Sequence, residues 1–248
     1  MKVFLIERNI DGLLSALYVS FVENLIPKEV QEKNIYQIRA DAVYIDIPTN
    51  RQHSNRVKKA LYKYGGDDII AHLKVCLASC LPTALTTAFE YARLTLSYRT
   101  DISERFEEKC VTDFSFILQK VLHERHITTG FLRFKESANG VMYARYSPDN
   151  DVTYLVAPHF LKRLGNTPFI IHDISRNVIA ISNGQNISIT QTNLPANFMP
   201  SDNEENFNLL WRKYFSAINI KERINPSQQA NFFPHRYRKF CFEMWEYF

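Results

Sequence analysis

Four side chains of the sequence are of the types that metal-dependent hydrolases use: His126, His159, His172 and Asp173. Imidazole and carboxylate groups bind divalent transition metals and act as general acids and bases. We take these four as candidate catalytic residues of a metal-dependent nuclease or nucleotide-processing enzyme. Their spacing does not predict that they meet at one site, so we assign no metal ligand and expect no cofactor.

A different chemistry is indicated by a basic segment late in the sequence. Residues 212–239 contain seven Lys and Arg side chains and a single acid, Glu222, whereas the whole chain has a net charge of +4. Such cations neutralise phosphates, and aromatic rings between them stack on bases in single-strand binding. The alternative is a helical pair whose aromatic rings face the core and whose charges are solvated. The spacing favours the core for the aromatic rings, whereas the concentration of charge favours nucleic acid for the cations.

The candidate nucleic-acid-binding residues combine cations for phosphates, amide groups for base edges and one aromatic ring for stacking. They are Arg133, Arg163, Arg212, Lys213, Arg223, Asn225, Gln228, Gln229, Arg236, Tyr237 and Arg238. Arg163 follows His159 by four residues, so both are predicted on one face of a short helix that begins near Pro158. Asp173 and Arg176 are predicted to form a turn in which the carboxylate accepts backbone N–H groups.

Composition excludes several classes of protein. Only 7 glycines occur in 248 residues, and the glycine-rich motifs that bring backbone N–H groups to nucleotide phosphates are missing. The four cysteines are scattered, which is typical of reduced thiols in a cytosol. No stretch approaches the roughly 18 apolar residues of a membrane helix. We therefore expect a soluble cytoplasmic protein with no membrane partner.

The first predicted region spans residues 1–98 and is a small α/β unit. Its apolar runs and helical periodicities predict strands over 2–6 and 42–47, and helices from Ile10 to Leu25 and around 50–64, 67–79 and 83–97. A strand followed directly by an amphipathic helix is typical of α/β proteins.

The second predicted region spans residues 99–248. Asp101 and Glu104 have the spacing of a capping box and predict a long helix that runs to about His126. Short strands are then predicted over 131–136, 141–146, 152–157, 168–173, 177–182 and 186–190, with a helix at about 158–164. The whole chain is thus predicted as α+β, with a long central helix, an antiparallel β meander and a helical basic C-terminal region.

Five segments resemble the motifs of one family, in the same order. They are "DGLLSALYVSFV" (11–22), "HERHITTGFLRF" (123–134), "YLVAPHFLKRL" (154–164), "FIIHDISRNVIAISNG" (169–184) and "LLWRKYFSAINIKERINPSQQANFFPHRYRKF" (209–240). The family is an uncharacterised DNA metabolism (DNA repair) family, often encoded beside a radical-SAM protein, whose C-terminal region is also fused to some uracil-DNA glycosylase-like proteins. The sequence departs from the family pattern at Ile127, where Arg is usual, and at Arg238, where Trp is usual.

The resemblance implies a role in DNA metabolism or repair. We expect the protein to bind DNA, or a damaged-DNA complex, alongside a partner enzyme of the radical-SAM type. Two alternatives from other classes stay open: the metal-dependent enzyme described above, and a scaffold whose basic face meets an acidic protein.

Overall fold

A computed structural model describes residues 1–36, 38–191, 209, 210, 213, 233 and 235–241. The chain folds into two compact units, Met1–His123 and Glu124–Phe248. Helices and sheets occur together, so the predicted α+β class is confirmed. None of the described helices is long and apolar enough to span a bilayer.

The first unit is built on a three-stranded parallel sheet. Strand β1 (Lys2–Ile6) lies between β2 (Glu29–Glu32) and β3 (Val43–Asp46). Four consecutive residues of β1 are buried, which explains why this strand is a continuous apolar run rather than an alternating one. The charged strand β2 has no such run and was not predicted from the sequence.

The first unit also contains four helices: α1 (Ile10–Val22), α2 (Arg51–Gly65), α3 (Ile69–Leu77) and α4 (Ala84–Tyr98). All four were predicted, with ends displaced by a few residues. Asn9 and Asn50 cap the N-termini of α1 and α2, because each side-chain oxygen accepts backbone N–H groups of the first turn. These caps set the points where the two helices begin.

The long helix α5 (Lys109–Phe131) differs from its prediction at both ends. Asp101 does not cap it; its carboxylate instead accepts the N–H of Ser103 in a local turn. The helix also continues five residues beyond His126, so the predicted strand over 131–136 is reduced to β4 (Lys135–Glu136).

The second unit contains a mixed five-stranded sheet. Its strands are β4, β5 (Met142–Tyr146), β6 (Phe169–Asp173), β7 (Val178–Ser182) and β8 (Ile187–Gln191), in that order across the sheet. Three neighbouring pairs are antiparallel, whereas β5 and β6 are parallel. The sheet therefore differs from the predicted antiparallel meander at this one pair.

The parallel pair is connected by helix α6 (Thr153–Leu164). The prediction of a strand over 152–157 is wrong, because these residues form the first half of α6. The buried residues Thr153, Val156, Ala157 and Phe160 recur at helical spacing and face the sheet core. A short apolar run does not by itself distinguish a strand from a buried helix.

Two tight turns of the sheet were predicted correctly. Asn139 and Gly140 connect β4 to β5, and Asn183 and Gly184 connect β7 to β8. Gly184 has a φ of +89°, and an added Cβ would lie 2.3 Å from the carbonyl oxygen of Asn166. This turn therefore requires glycine both for its backbone conformation and for its close packing.

A short helix, α7 (His235–Arg238), is described near the end of the second unit. It packs on the last two turns of α5: the Phe131 ring lies 4.4 Å from the Phe233 ring and 6.0 Å from the Tyr237 ring. Residues 209, 210 and 213 are described separately, and the predicted helical periodicity from Leu209 to Ile218 lies mostly outside the described residues.

Candidate functional site

Polar groups of the second unit converge on the loop of residues 147–152, which follows β5 and leads into α6. Because β5 and β6 are parallel, the segments that follow them leave the sheet at the same edge. Ligands in α/β sheets often bind at such an edge, beyond the carboxyl ends of the strands. We define this loop and the side chains bonded to it as the loop cluster.

Asp173, at the end of β6, anchors one side of the loop cluster. Its side chain is completely buried, and it accepts the N–H groups of Ser175 and Arg176. The predicted Asp173–Arg176 turn is confirmed. Arg176 also forms an ion pair with Asp173 at 3.0 Å and donates to the carbonyl oxygens of Pro148 and Asp149. The turn after β6 therefore holds the loop by its carbonyl groups.

Glu124, on α5, anchors the other side of the loop cluster. It is 3% exposed, and its carboxylate accepts the backbone N–H groups of Asp149 and Asn150 at 2.9 and 2.7 Å. The side-chain amide of Asn150 donates to the same carboxylate at 2.7 Å. A buried carboxylate must be compensated by charge and hydrogen bonds, and here backbone amides supply part of that compensation.

Arg236, on α7, supplies the charge that Glu124 needs. One terminal nitrogen, Nη2, donates to Glu124 Oε1 at 2.8 Å, and the other, Nη1, lies 2.5 Å from Asp149 Oδ2. The side chains differ in exposure, because Glu124 is 3% exposed, Arg236 is 32% exposed and Asp149 is 56% exposed. The guanidinium group thus spans the distance from a buried carboxylate to an exposed one.

Tyr237 completes the loop cluster on its buried side. It is 2% exposed, donates to Glu124 Oε1 at 3.2 Å and shares a 2.9 Å hydrogen bond with the Thr128 hydroxyl. Burial raises the pKa of Tyr237 to about 12, so its hydroxyl is protonated at neutral pH and is a hydrogen-bond donor. The ring is a core residue.

The loop cluster fixes the shape of residues 147–152 from both sides. Amide groups of the loop are held by Glu124, and its carbonyl groups are held by Arg176. Each buried carboxylate is paired with an arginine, so neither has the open coordination that a divalent cation requires. Within the described part of the chain, no group of three or more His, Cys, Asp or Glu residues could hold a metal ion.

The histidines proposed as catalytic residues lie in three different settings. His126 on α5 and His159 on α6 are exposed, and the His159 ring packs edge-on against Phe160. His172 on β6 is 5% exposed, and its Nδ1 lies 2.8 Å from the Tyr143 hydroxyl. Asp173 precedes the turn described above and already has its charge partner. Among described groups, the contacts of these four residues do not join them in one site.

Burial lowers the pKa of His172 below its ordinary value of 6.5. The unfolded chain therefore takes up this proton at a higher pH than the folded protein does. Stability that depends on neutral His172 is fully present above about pH 6.5 and is lost as the pH falls below it. We expect the unfolding free energy of the wild type to fall more steeply from about pH 7 to about pH 5 than that of His172→Gln.

Urea unfolding at a series of pH values measures this difference. His159→Gln is the matched control, because it makes the same substitution at an exposed histidine of the same unit. Parallel curves for the wild type and His172→Gln would contradict the prediction.

The remaining described candidates for nucleic-acid binding are distributed over the second unit. Arg133 is partly buried and donates to the carbonyl oxygen of Gly130, and Arg238 is 7% exposed and donates to that of Phe233. Arg163 and Lys213 are exposed. Arg163 lies near the end of α6, about 15 Å of helix from its first residue, so α6 separates it from the loop cluster.

Five candidates lie outside the described residues: Arg212, Arg223, Asn225, Gln228 and Gln229. Arg236 and Tyr237 are described, and both belong to the loop cluster. The described cations of the basic segment are therefore of two kinds. Some of its cations are bonded within the protein, as Arg236 is, and others, such as Lys213 and Lys239, are exposed.

Sequence reasoning did not identify Glu124 or Asp149 as members of the site. Glu124 stands in the segment 123–134, whose resemblance to the family motif rested in part on that glutamate. Its partner Arg236 stands in the segment 209–240. The available signal was that two motif residues carry opposite charges, but they are 112 residues apart and nothing between them predicts that they meet.

Comparison with known families identifies the family of the chain. No curated protein matches the chain. The sequence profile of the family described as Domain of unknown function (DUF4130) matches residues 82–243, which include α5, the five-stranded sheet, α6 and α7. The match covers more than half of the sequence and contains every residue of the loop cluster. The chain belongs to the family Domain of unknown function (DUF4130).

Proposed function

We propose that the protein binds DNA in DNA metabolism or repair, with the second unit providing the surface that meets the phosphates. The observation that carries the proposal is the unequal exposure of its charges. Two of its carboxylates, Glu124 and Asp173, are buried in pairs with Arg236 and Arg176. Each pair is neutral overall, so the charge that the described part of this unit presents to solvent depends on its other exposed side chains.

Among the described residues of the second unit, the exposed charged side chains are mainly positive. Six of its Lys and Arg side chains are exposed and form no ion pair with a described carboxylate: Arg125, Arg145, Lys162, Arg163, Lys213 and Lys239. Cations without a protein counter-charge attract polyanions, and counterion release from DNA then supplies much of the binding free energy. The concentration of Lys and Arg over residues 212–239 supports the same proposal.

The partner in this proposal is an enzyme of the radical-SAM type. It rests on the resemblance of the five sequence segments to the DNA metabolism family. The chain itself lacks the C-x₃-C-x₂-C motif of such enzymes. On this proposal the protein presents DNA to chemistry that another polypeptide performs.

Salt dependence of DNA binding tests the proposal. If three to five side chains meet phosphates, log K should fall with log[salt] with a slope of roughly −2 to −4.5, and the slope should be shallower for single strands. The double variant Lys162→Gln/Arg163→Gln removes two adjacent exposed cations of α6. We expect it to make the slope less steep by about 1.4 to 1.8, because each lost phosphate contact lowers the slope by about 0.7 to 0.9. Phosphate contacts do not read bases, so the change should not depend on the DNA sequence.

Fluorescent single- and double-stranded DNA, titrated across a salt series, provides the measurement. The matched control is Lys59→Gln/Lys63→Gln, which removes two exposed cations from α2 of the first unit. It should leave the slope within error of the wild type. Absence of binding by the wild type at low salt would refute the proposed function, and an equal loss in the control would refute its assignment to the second unit.

A further inference from the structure

We propose that Arg236 is a phosphate-binding side chain whose place for the phosphate is taken by the Asp149 carboxylate in the DNA-free protein. Bound DNA would replace that carboxylate with one of its own phosphate groups. This inference rests on the proposed DNA-binding function and identifies a self-inhibiting contact within it.

The geometry of Arg236 suits such an exchange. Its Nη2 donates to Glu124, which is buried and also bonded to backbone amides, so this half of the guanidinium group is fixed. Its Nη1 points toward the surface, where it meets Asp149. An arginine held by a buried carboxylate has already lost most of its side-chain freedom, which reduces the entropy cost of binding a ligand.

Asp149 is suited to act as the replaceable anion. Its backbone is fixed from both sides, because its N–H donates to Glu124 and its carbonyl oxygen accepts from Arg176. Its side chain is 56% exposed, and Arg236 is its described ion-pair partner. The carboxylate can therefore leave Arg236 without disturbing the backbone bonds that hold the loop.

The two competing contacts differ in strength. An ion pair that is open to solvent contributes little, because water and salt screen it. A phosphate of a polyanion gains the same hydrogen bonds and also releases condensed counterions. Asp149 additionally repels an approaching phosphate. Removing its charge should therefore both expose Nη1 and remove the repulsion.

The test is the variant Asp149→Asn in the DNA salt series. We expect its affinity at low salt to rise about three- to tenfold, with the salt slope of the wild type retained, because Arg236 meets a phosphate in both complexes. The control Glu136→Gln removes the charge of an exposed acid that pairs with the start of β5, at the opposite end of that strand from the loop cluster, and should raise affinity less than about twofold. Thermal unfolding verifies that each variant is folded, and Asp149→Ala replaces Asp149→Asn if the latter is not.

Each outcome decides the inference. A wild-type protein that binds DNA while Asp149→Asn binds it with equal affinity would overturn the role of Asp149, as would an equal gain in Glu136→Gln. A wild type that binds no DNA overturns the proposed function instead. In that case inorganic phosphate, titrated while the Arg236 side-chain resonances are followed by NMR, decides: the inference fails if Asp149→Asn binds phosphate no more tightly than the wild type.

Discussion

Replacing Glu124 by Gln is expected to lower the free energy of unfolding of the second unit by about 3–5 kcal/mol. The substitution keeps the shape of the side chain but removes its charge. It also places an amide NH₂ group beside groups that are themselves hydrogen-bond donors. Arg236 then loses its buried partner, and the N–H groups of Asp149 and Asn150 compete for one remaining acceptor. Removing one partner of a buried ion pair costs more than the pair itself contributes.

Urea unfolding, followed by hydrogen exchange of the backbone amides of β5 and β6, measures this loss in the second unit. Glu107→Gln serves as the control, because it makes the same chemical change at an exposed position and should alter stability by less than about 0.5 kcal/mol. Equal effects of the two substitutions would show that the Glu124 contacts contribute nothing to stability.

The Tyr237→Ala substitution is expected to have the second large effect, a loss of about 3–5 kcal/mol of unfolding free energy. The ring is 2% exposed, and it packs beside Phe131. Tyr237→Phe should cost only about 1 kcal/mol, because it keeps the ring and loses the hydroxyl bonds to Thr128 and Glu124. Comparing the two variants separates the contribution of ring packing to the free energy of unfolding from that of the hydroxyl hydrogen bonds.

DNA binding by the same variants tests the alternative role of this ring. A base-stacking tyrosine would lose roughly 1–3 kcal/mol of binding on change to Ala while stability stayed near that of the wild type. A core tyrosine shows the reverse, and we expect the salt slope of folded Tyr237→Phe to equal that of the wild type. Measurements at a temperature where each variant is folded exclude unfolding as the cause of weaker binding.

Local signals were sufficient for much of the fold. The apolar run of β1, the periodicities of α1 to α4 and the Asn-Gly turns at residues 139–140 and 183–184 each act over a few residues, and each was confirmed. Predictions failed where tertiary contacts override local preference. Residues 127–131 have poor intrinsic helix propensity, yet α5 continues through them, where Thr128 bonds to Tyr237 and Phe131 packs on Phe233.

The candidate site was less predictable because its members are far apart in sequence. The Asp173–Arg176 turn spans four residues, and its composition alone predicted it. Glu124 and Arg236 form an equally close pair, but the fold of the second unit brings them together, and a single sequence carries no local signal of that contact. Arg236 was assigned to a phosphate-binding surface because cations are concentrated over residues 212–239. The paired carboxylate that permits its partial burial is visible only in three dimensions.

The 112-residue separation between Glu124 and Arg236 also has a consequence for synthesis of the protein. A nascent chain emerges from the ribosome with Glu124 long before Arg236 and Tyr237 exist. Until they are synthesised, the Glu124 carboxylate has no charge partner and must stay hydrated, so the sheet and α6 cannot bury it. Contacts between residues so far apart in sequence also slow folding. The second unit can therefore complete its folding only after α7 has been synthesised. Chains that end before residue 236 should be far more sensitive to proteases than chains that extend beyond residue 241.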